Sequence, residues 1–316
     1  MKVALLDDYQ GVALGCADWP GILPQAEVTA FRDTLTDPDA LAARLQDFEI
    51  IGIMRERTPF PKSLLERLPR LKLLVTTGLR NDSVDIAAAK ALGITVCGTP
   101  SSAHAAAELT WALVMAAARR IDLESRSFRD GGWQIGLGRD LKGATLGVIG
   151  LGRLGSLVAG YGRAFGMRVI AWSQNLTAER AAEQGAELVD KDRLFREADF
   201  VTLHLKLSER SRGLVTAREF ALMKPDAWIV NTSRGPIVDN AALLDALQAK
   251  RIGGAALDVF DVEPLPADDP LRRLDNVVAT PHVGYVSREN YAVFYRETAE
   301  NIAAFLAGKP RSVIEP

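Results

Sequence analysis

The chain has 316 residues, more than one hydrophobic core usually supports, so two domains are expected; 48% hydrophobic content is ample for both cores. Its 38 basic and 40 acidic side chains nearly cancel and form no Lys/Arg block, which disfavours nucleic acid or a membrane surface as partner and favours a small molecule. Cys16 and Cys97 are too few for a disulfide framework, and Met1–Asp8 meets acid too soon for a signal peptide, so a cytoplasmic protein with reduced thiols and no metal is expected.

Apolar runs bounded by turn residues alternate with helical patterns, the signature of βαβ units and parallel sheets. The first series of predicted strands is Val3–Leu6, Glu27–Phe31, Ile50–Met54, Leu73–Val75 and Ile94–Val96, with helical stretches at Pro38–Phe48 and Ser83–Leu92. A long helix is predicted from about Ala103 to Arg120; it contains His104 and Glu108 and is too short to span a bilayer comfortably. The Gly-rich passage from Gly131 to Gly138 reads as a loop or linker.

The second series opens at Thr145–Ile149 and continues through Arg168–Trp172, Phe200–Leu203, Trp228–Thr232, Gly254–Val259 and Asn276–Thr280. An amphipathic helix, about Ser287 to Ala307, closes the chain with Tyr291, Phe294, Tyr295, Ile302 and Phe305 on a face that needs a partner, for which the first domain is a candidate. No short tandem repeat or low-complexity segment interrupts the pattern.

Between the first two strands of the second series lies Gly150-Leu151-Gly152-Arg153-Leu154-Gly155. In that strand–loop–helix context the first glycine permits a tight turn, the second lets backbone approach a pyrophosphate, and the third allows close helix–strand packing. A dinucleotide is the implied ligand, held at Gly150, Gly152, Arg153, Leu154 and Gly155. The acidic residue that would hold the adenosine ribose is missing after the second strand, where Trp172-Ser173-Gln174-Asn175 stands; Ser173 and Gln174 suit NAD or NADP, with NAD slightly favoured. His204, at another strand end of the same sheet, is expected to line the cofactor cleft.

Three polar residues fall just past the last three predicted strands: Arg234, Glu263 and His282. Ligands of open α/β sheets bind beyond the carboxyl ends of the strands, so this spacing sets a guanidinium, a carboxylate and an imidazole along one crevice. His282 suits proton transfer near neutral pH, Glu263 can orient its ring and stabilise the imidazolium, and Arg234 can hold a carboxylate in its planar fork and polarise the adjacent carbonyl.

These motifs carry a family resemblance. Gly150–Gly155, Asn231-Thr232-Ser233-Arg234-Gly235, Ala256–Phe260 running into Glu263-Pro264, and Thr280-Pro281-His282-Val283-Gly284 together resemble the D-isomer-specific 2-hydroxyacid dehydrogenases over nearly the whole chain. The resemblance implies an α/β fold of two Rossmann-like, doubly wound parallel-sheet domains with an interdomain active-site cleft. A discontinuous substrate domain (1–98 with 287–316) would accompany a NAD(P)-binding domain (99–286), usually in a homodimer. It implies hydride transfer between a nicotinamide and a D-2-hydroxy acid/2-oxo acid pair, with Arg234, Glu263 and His282 catalytic, Asp258 beside the carboxamide, and Thr232 and Gly284 in the cofactor site.

The resemblance further implies that the loop containing Gly78, Leu79 and Arg80 receives the substrate carboxylate through backbone amides. Arg80 replaces the usual glycine there, and with Arg55 it would favour a substrate bearing a second anionic or polar group. Lys206 replaces a usual proline near the expected adenosine and could aid a 2′-phosphate. Phosphoglycerate dehydrogenase is a nearer alternative within the family, although the chain ends at Pro316 without length for an appended regulatory domain. A non-catalytic dinucleotide-sensing protein on the same fold is the alternative of a different class.

Overall fold

A computed structural model describes all residues, 1–316. The chain divides into two compact units, Met1–Ser102 with Val286–Pro316, and Ala103–Tyr285. No helix is long and apolar enough to cross a membrane.

The first unit is built on a five-stranded parallel sheet of β1 (Lys2–Leu5), β2 (Glu27–Ala30), β3 (Ile50–Ile53), β4 (Leu73–Thr76) and β5 (Thr95–Gly98), in the order β2-β1-β3-β4-β5. The central strands β3 and β4 are buried along their whole length, as their near-continuous apolar runs require of a sheet covered on both faces. The sheet changes direction of winding between β1 and β3, so the loops after these strands flank its topological switch point. The carboxyl-terminal helix, Arg288–Leu306, returns to this unit, burying Tyr291, Phe294, Tyr295 and Ile302. Its Asn301 Nδ2 donates to the Gly98 carbonyl at 2.9 Å and Tyr291 Oη donates to Gln10 Oε1 at 3.1 Å.

The second unit carries seven parallel strands: β6 (Thr145–Ile149), β7 (Arg168–Trp172), β8 (Glu187–Leu188), β9 (Phe200–Leu203), β10 (Trp228–Asn231), β11 (Gly254–Leu257) and β12 (Val277–Ala279). Their order, β12-β11-β10-β9-β6-β7-β8, puts a switch point between β6 and β9. One face of this sheet is covered by a core that includes Phe195, Phe220 and Leu247, the other by one that includes Val114, Val158 and Met167.

Helix starts follow a recurrent device, an Asp whose side chain accepts a backbone N–H of the first turn. Asp37 caps Pro38–Leu45, Asp85 caps Ile86–Ala91, and Asp239 caps Asn240–Gln248. The Asp85 cap is why the second of these begins at Ile86 rather than at the predicted Ser83. The predicted helix of residues 103–120 is two helices, His104–Arg119 and Ile121–Arg129, because Arg120 takes a left-handed backbone (φ +53°) that ends the first. The two-residue strand β8 is too short to leave an apolar pattern and was not predicted. Both cysteines are free thiols, and burial pushes Cys97 up to about 11.

Candidate active site

In the second unit the loop after β6 occupies the switch point. Trp172, Ile149 and Leu203 lie in register across β7, β6 and β9, so Ser173, Gly150 and His204 follow side by side at the strand ends. Gly150 has φ +95°, and a Cβ there would lie 2.8 Å from the His204 carbonyl oxygen; a Cβ on Gly155 would lie 2.1 Å from the Gly150 carbonyl oxygen. Both glycines are therefore required by close approach of backbone. Gly152 differs: its φ of −90° is open to any residue, and nothing lies within 4 Å of where its Cβ would be. Open space over a glycine that caps the helix Arg153–Ala164 suits a group brought from outside, and a pyrophosphate facing the helix N-terminus fits it. The residues present therefore suit a dinucleotide. His204 Nε2 is buried without a hydrogen-bond partner, and burial lowers the imidazole to about 4, so this ring is neutral near pH 7.

The ends of β10, β11 and β12, adjacent in the sheet, carry the three predicted catalytic side chains. After β10, buried Asn231 shapes the turn: its Oδ1 accepts Ser233 N at 3.0 Å and its Nδ2 donates to the Arg234 carbonyl at 3.0 Å. Ser233 Oγ donates to the Leu203 carbonyl at 2.6 Å, tying the turn to β9. Arg234 Nη1 donates to the Ser233 carbonyl at 2.8 Å, which sets the plane of the half-buried guanidinium. The next residue, Gly235, is packed so tightly that a Cβ would lie 2.2 Å from the carbonyl carbon of Phe260, so the Arg234 turn rests directly on the loop leading to Glu263.

Glu263 Oε1 accepts Phe260 N at 3.0 Å, and its Oε2 meets His282 Nδ1 at 2.5 Å. With Nδ1 engaged, the outer ring nitrogen Nε2 is the position for proton exchange with a substrate. His282 itself has φ +53°. A bulky residue in that region is strained, and the loop is held there by Asp258 at the end of β11, which is 1% exposed. Asp258 Oδ1 accepts Thr280 Oγ1 at 2.6 Å and Val283 N at 2.7 Å, and its Oδ2 accepts Gly284 N at 2.8 Å. Burial raises the pKa of this carboxyl, against the pull of the Thr280 hydroxyl, the two backbone donors and His282. The Tyr285 ring stands edge-on to His282, with centroids 5.8 Å apart. Thr232 shares a hydroxyl–hydroxyl bond of 2.6 Å with Thr110 on the helix His104–Arg119.

The structure thus brings Glu263, His282, Asp258 and Gly284 into one connected set, with Arg234 on the neighbouring turn. Asn231, Ser233, Thr280 and Tyr285 were not read from the sequence as part of it. Their only sequence signal is that they are polar or aromatic residues within a few positions of a strand end.

In the first unit, Arg55 follows β3 and Gly78-Leu79-Arg80 follow β4. Arg55 also has a left-handed backbone, φ +51°. Its N donates to Thr77 Oγ1 at 2.9 Å, its carbonyl accepts Asn81 Nδ2 at 2.6 Å, and its Nη1 donates to the Thr77 carbonyl at 3.1 Å. Gly78 N in turn donates to Thr99 Oγ1 at 3.1 Å. Leu79 and Arg80 are exposed. Lys206, after β9, is also exposed, and its carbonyl accepts Ser211 Oγ at 2.6 Å.

Comparison with known proteins agrees with this architecture. The family model for the NAD-binding domain of D-isomer specific 2-hydroxyacid dehydrogenases matches residues 111–284. The chain is 42% identical over 256 residues to a glyoxylate reductase of Aeropyrum pernix, covering 78% of this chain and 76% of that one. It is 39% identical to a D-3-phosphoglycerate dehydrogenase of Synechocystis, over 84% of this chain but 50% of that longer protein. Among solved structures, a putative D-3-phosphoglycerate dehydrogenase from Ralstonia solanacearum superposes with a TM-score of 0.95 at 41% identity, covering 100% of this chain and 97% of that one. The apo D-lactate dehydrogenase of Escherichia coli gives 0.86 at 28% identity, covering 99% of this chain and 100% of that one.

Proposed function

The chain belongs to the D-isomer specific 2-hydroxyacid dehydrogenase family, and from that premise we propose that it interconverts a D-2-hydroxy acid and its 2-oxo acid, with His282 as acid/base, Glu263 as its partner and Arg234 as the substrate-holding cation. The observation that carries this reading is the 2.5 Å contact between His282 Nδ1 and Glu263 Oε2, made on the same sheet that bears the dinucleotide loop. Of the three histidines, His204 is held neutral by burial and His104 lies at the start of a helix, which leaves His282 as the ring positioned for proton transfer.

A bound NAD or NADP supplies the hydride. Gly150, Gly152 and Gly155, with Arg153 and Leu154, would receive its pyrophosphate, and Ser173, Gln174 and His204 would border its adenosine half, where no carboxylate selects between the two cofactors. Thr232 and Gly284 would border the nicotinamide half. Asp258 already accepts three bonds, and a carboxylate offers about four acceptor positions, so one remains for a carboxamide N–H. In the reducing direction His282 gives a proton from Nε2 to the C2 oxygen as hydride arrives, and Glu263 stabilises the imidazolium that precedes this step. Arg234 holds the carboxylate and draws electron density from the carbonyl.

The first unit serves as the substrate domain (1–98 with 287–316) and the second as the cofactor domain (99–286). Arg55 and the backbone of Gly78, Leu79 and Arg80 take part in holding the acid. We place the protein in the cytoplasm, as a homodimer formed through the second unit. The supporting feature is an apolar stretch from Phe128 to Leu137, in which Phe128, Trp133, Ile135 and Leu137 are all more than half exposed.

The test is to follow reduced-nicotinamide absorbance with NADH and NADPH in parallel across glyoxylate, hydroxypyruvate, pyruvate, phenylpyruvate and 3-phosphohydroxypyruvate. Turnover is the expected outcome. Tight dinucleotide binding by folded protein, with silence on all five acids, would overturn the catalytic reading in favour of a dinucleotide-sensing protein.

A further inference from the structure

The five-stranded sheet of the first unit has its switch point between β1 and β3, where open α/β sheets take their ligands. Two arginines stand on the strand-end loops there, and the structure gives them different work. Arg55 is committed. Its guanidinium donates to the Thr77 carbonyl, its Nη2 lies 3.7 Å from Glu56 Oε1, and its side chain is only 22% exposed. It lies over Gly78, where φ is +99° and an added Cβ would come within 1.9 Å of Nη1. Only glycine leaves that space. The same Cβ position is 3.8 Å from the Arg80 carbonyl oxygen, so the Arg55 guanidinium and the Arg80 backbone flank one residue.

Arg80 is not committed. It is exposed and makes neither a hydrogen bond nor an ion pair, whereas Arg44 and Arg67 of the same unit are paired with Asp33 and Asp39. Its backbone is anchored all the same, because buried Asn81 bonds both the Arg55 carbonyl and Thr76 Oγ1. An unpaired guanidinium on a fixed loop, beside a second cation already held in place, is a site for an anion brought by a ligand.

We propose that Arg80 reads a second anionic group on the substrate, so that the acid this protein handles is a 2-oxo acid whose carbon chain carries a further phosphate or carboxylate. The inference rests on the dehydrogenase reading above and narrows its substrate class. It divides the labour between two arginines: Arg55 is fixed by the protein, and Arg80 is satisfied by the ligand.

Pairs of hydroxy acids that differ only in the second anion provide the test: D-3-phosphoglycerate against D-glycerate for phosphate, and D-malate against D-lactate for carboxylate. Calorimetry without cofactor measures binding with no turnover, and kcat/KM with cofactor measures the reaction. Wild-type protein should prefer the doubly anionic member of at least one pair by about 10- to 100-fold, the usual worth of a hydrogen bond to a charged group. The pair that shows it identifies the anion. Arg80→Gln should collapse that ratio towards one, and Arg80→Lys should restore part of it. A ratio near one for both pairs in wild type, or a ratio that survives Arg80→Gln in protein with an unchanged melting temperature, overturns the proposal. If no 2-oxo acid turns over but the binding ratio still collapses in Arg80→Gln, the dehydrogenase reading falls and the anion site stands.

Discussion

His282 stands in a backbone conformation that a residue of its size rarely adopts, and it is kept there by Asp258 through the Thr280 hydroxyl and the amides of Val283 and Gly284. The ring is then aimed by Glu263, so two carboxylates from neighbouring loops share the positioning of one imidazole. Replacing His282 by Ala should lower kcat by roughly two to four orders of magnitude, the usual worth of general acid–base catalysis, while NADH binding followed by fluorescence persists. Full activity in that variant would exclude His282 as acid/base. Replacing Asp258 by Asn sets an amide NH2 against one of the donors it now accepts, and should cost about 1–3 kcal/mol of stability for a buried donor left unpaired, read from denaturant unfolding. A variant as stable as wild type would show that the loop does not depend on the clamp. Arg234, Glu263 and His282 were legible in the sequence because each is a chemically conspicuous residue just past an apolar run. The clamps were not: the contacts from Asp258 span 22 to 26 residues, and nothing local to Asp258 shows which backbone amides it will meet.

At the level of elements, the strands were legible because a parallel strand covered on both faces leaves an uninterrupted apolar run, and β6, β7 and β9 occupy the residues read for them. Helix boundaries were less legible, since they depend on which polar side chain folds back to cap the first turn. The helix Ala217–Leu222 shows how much can rest on one cap. Thr216 and Glu219 form a capping box, with Glu219 Oε2 accepting Thr216 N at 2.9 Å, and Lys191 Nζ lies 3.0 Å from Glu219 Oε1. Burial would raise this carboxyl, but the Thr216 and Lys191 contacts outweigh it and hold the group at about 2. A carboxyl depressed in the folded state adds stability above its unfolded value, near 4.5, and loses it as the pH falls through its folded value. Between pH 5 and pH 2 the unfolding free energy of wild type should therefore fall more steeply than that of Glu219→Gln, by about 1–2 kcal/mol after allowance for solvent screening. Parallel slopes in urea titrations of the two proteins would rule out Glu219 as a main contributor to acid lability.

For the whole molecule, the segment read from sequence as a Gly-rich linker is where the reading was thinnest. Trp133, Ile135 and Leu137 alternate with Gln134, Gly136 and Gly138, a spacing that in extended backbone sets the three apolar side chains on one side. The segment is tied to its own unit: Gly136 N donates to Glu124 Oε1 at 3.0 Å, Ser127 Oγ donates to the Trp133 carbonyl at 2.8 Å, and Arg139 N donates to the Ala118 carbonyl at 2.8 Å. Those bonds fix an arm whose apolar side faces outward, with Leu137 94% exposed and Trp133 73%. Sequence alone could not assign it a role, because the surface that would cover it is not adjacent in the chain. A second copy of the same unit is the occupant we assign, since a C2 pair buries the same patch from both sides with one set of residues. Light scattering on wild-type protein at micromolar concentration should give twice the chain mass, and Trp133→Glu with Leu137→Asp should give the single-chain mass with secondary structure retained. The melting temperature of wild type should rise with protein concentration, as mass action requires of a stabilising dimer, and that of the double variant should not. A wild-type monomer at these concentrations, or a dimer that survives both substitutions, would mean that the arm is not the contact between copies.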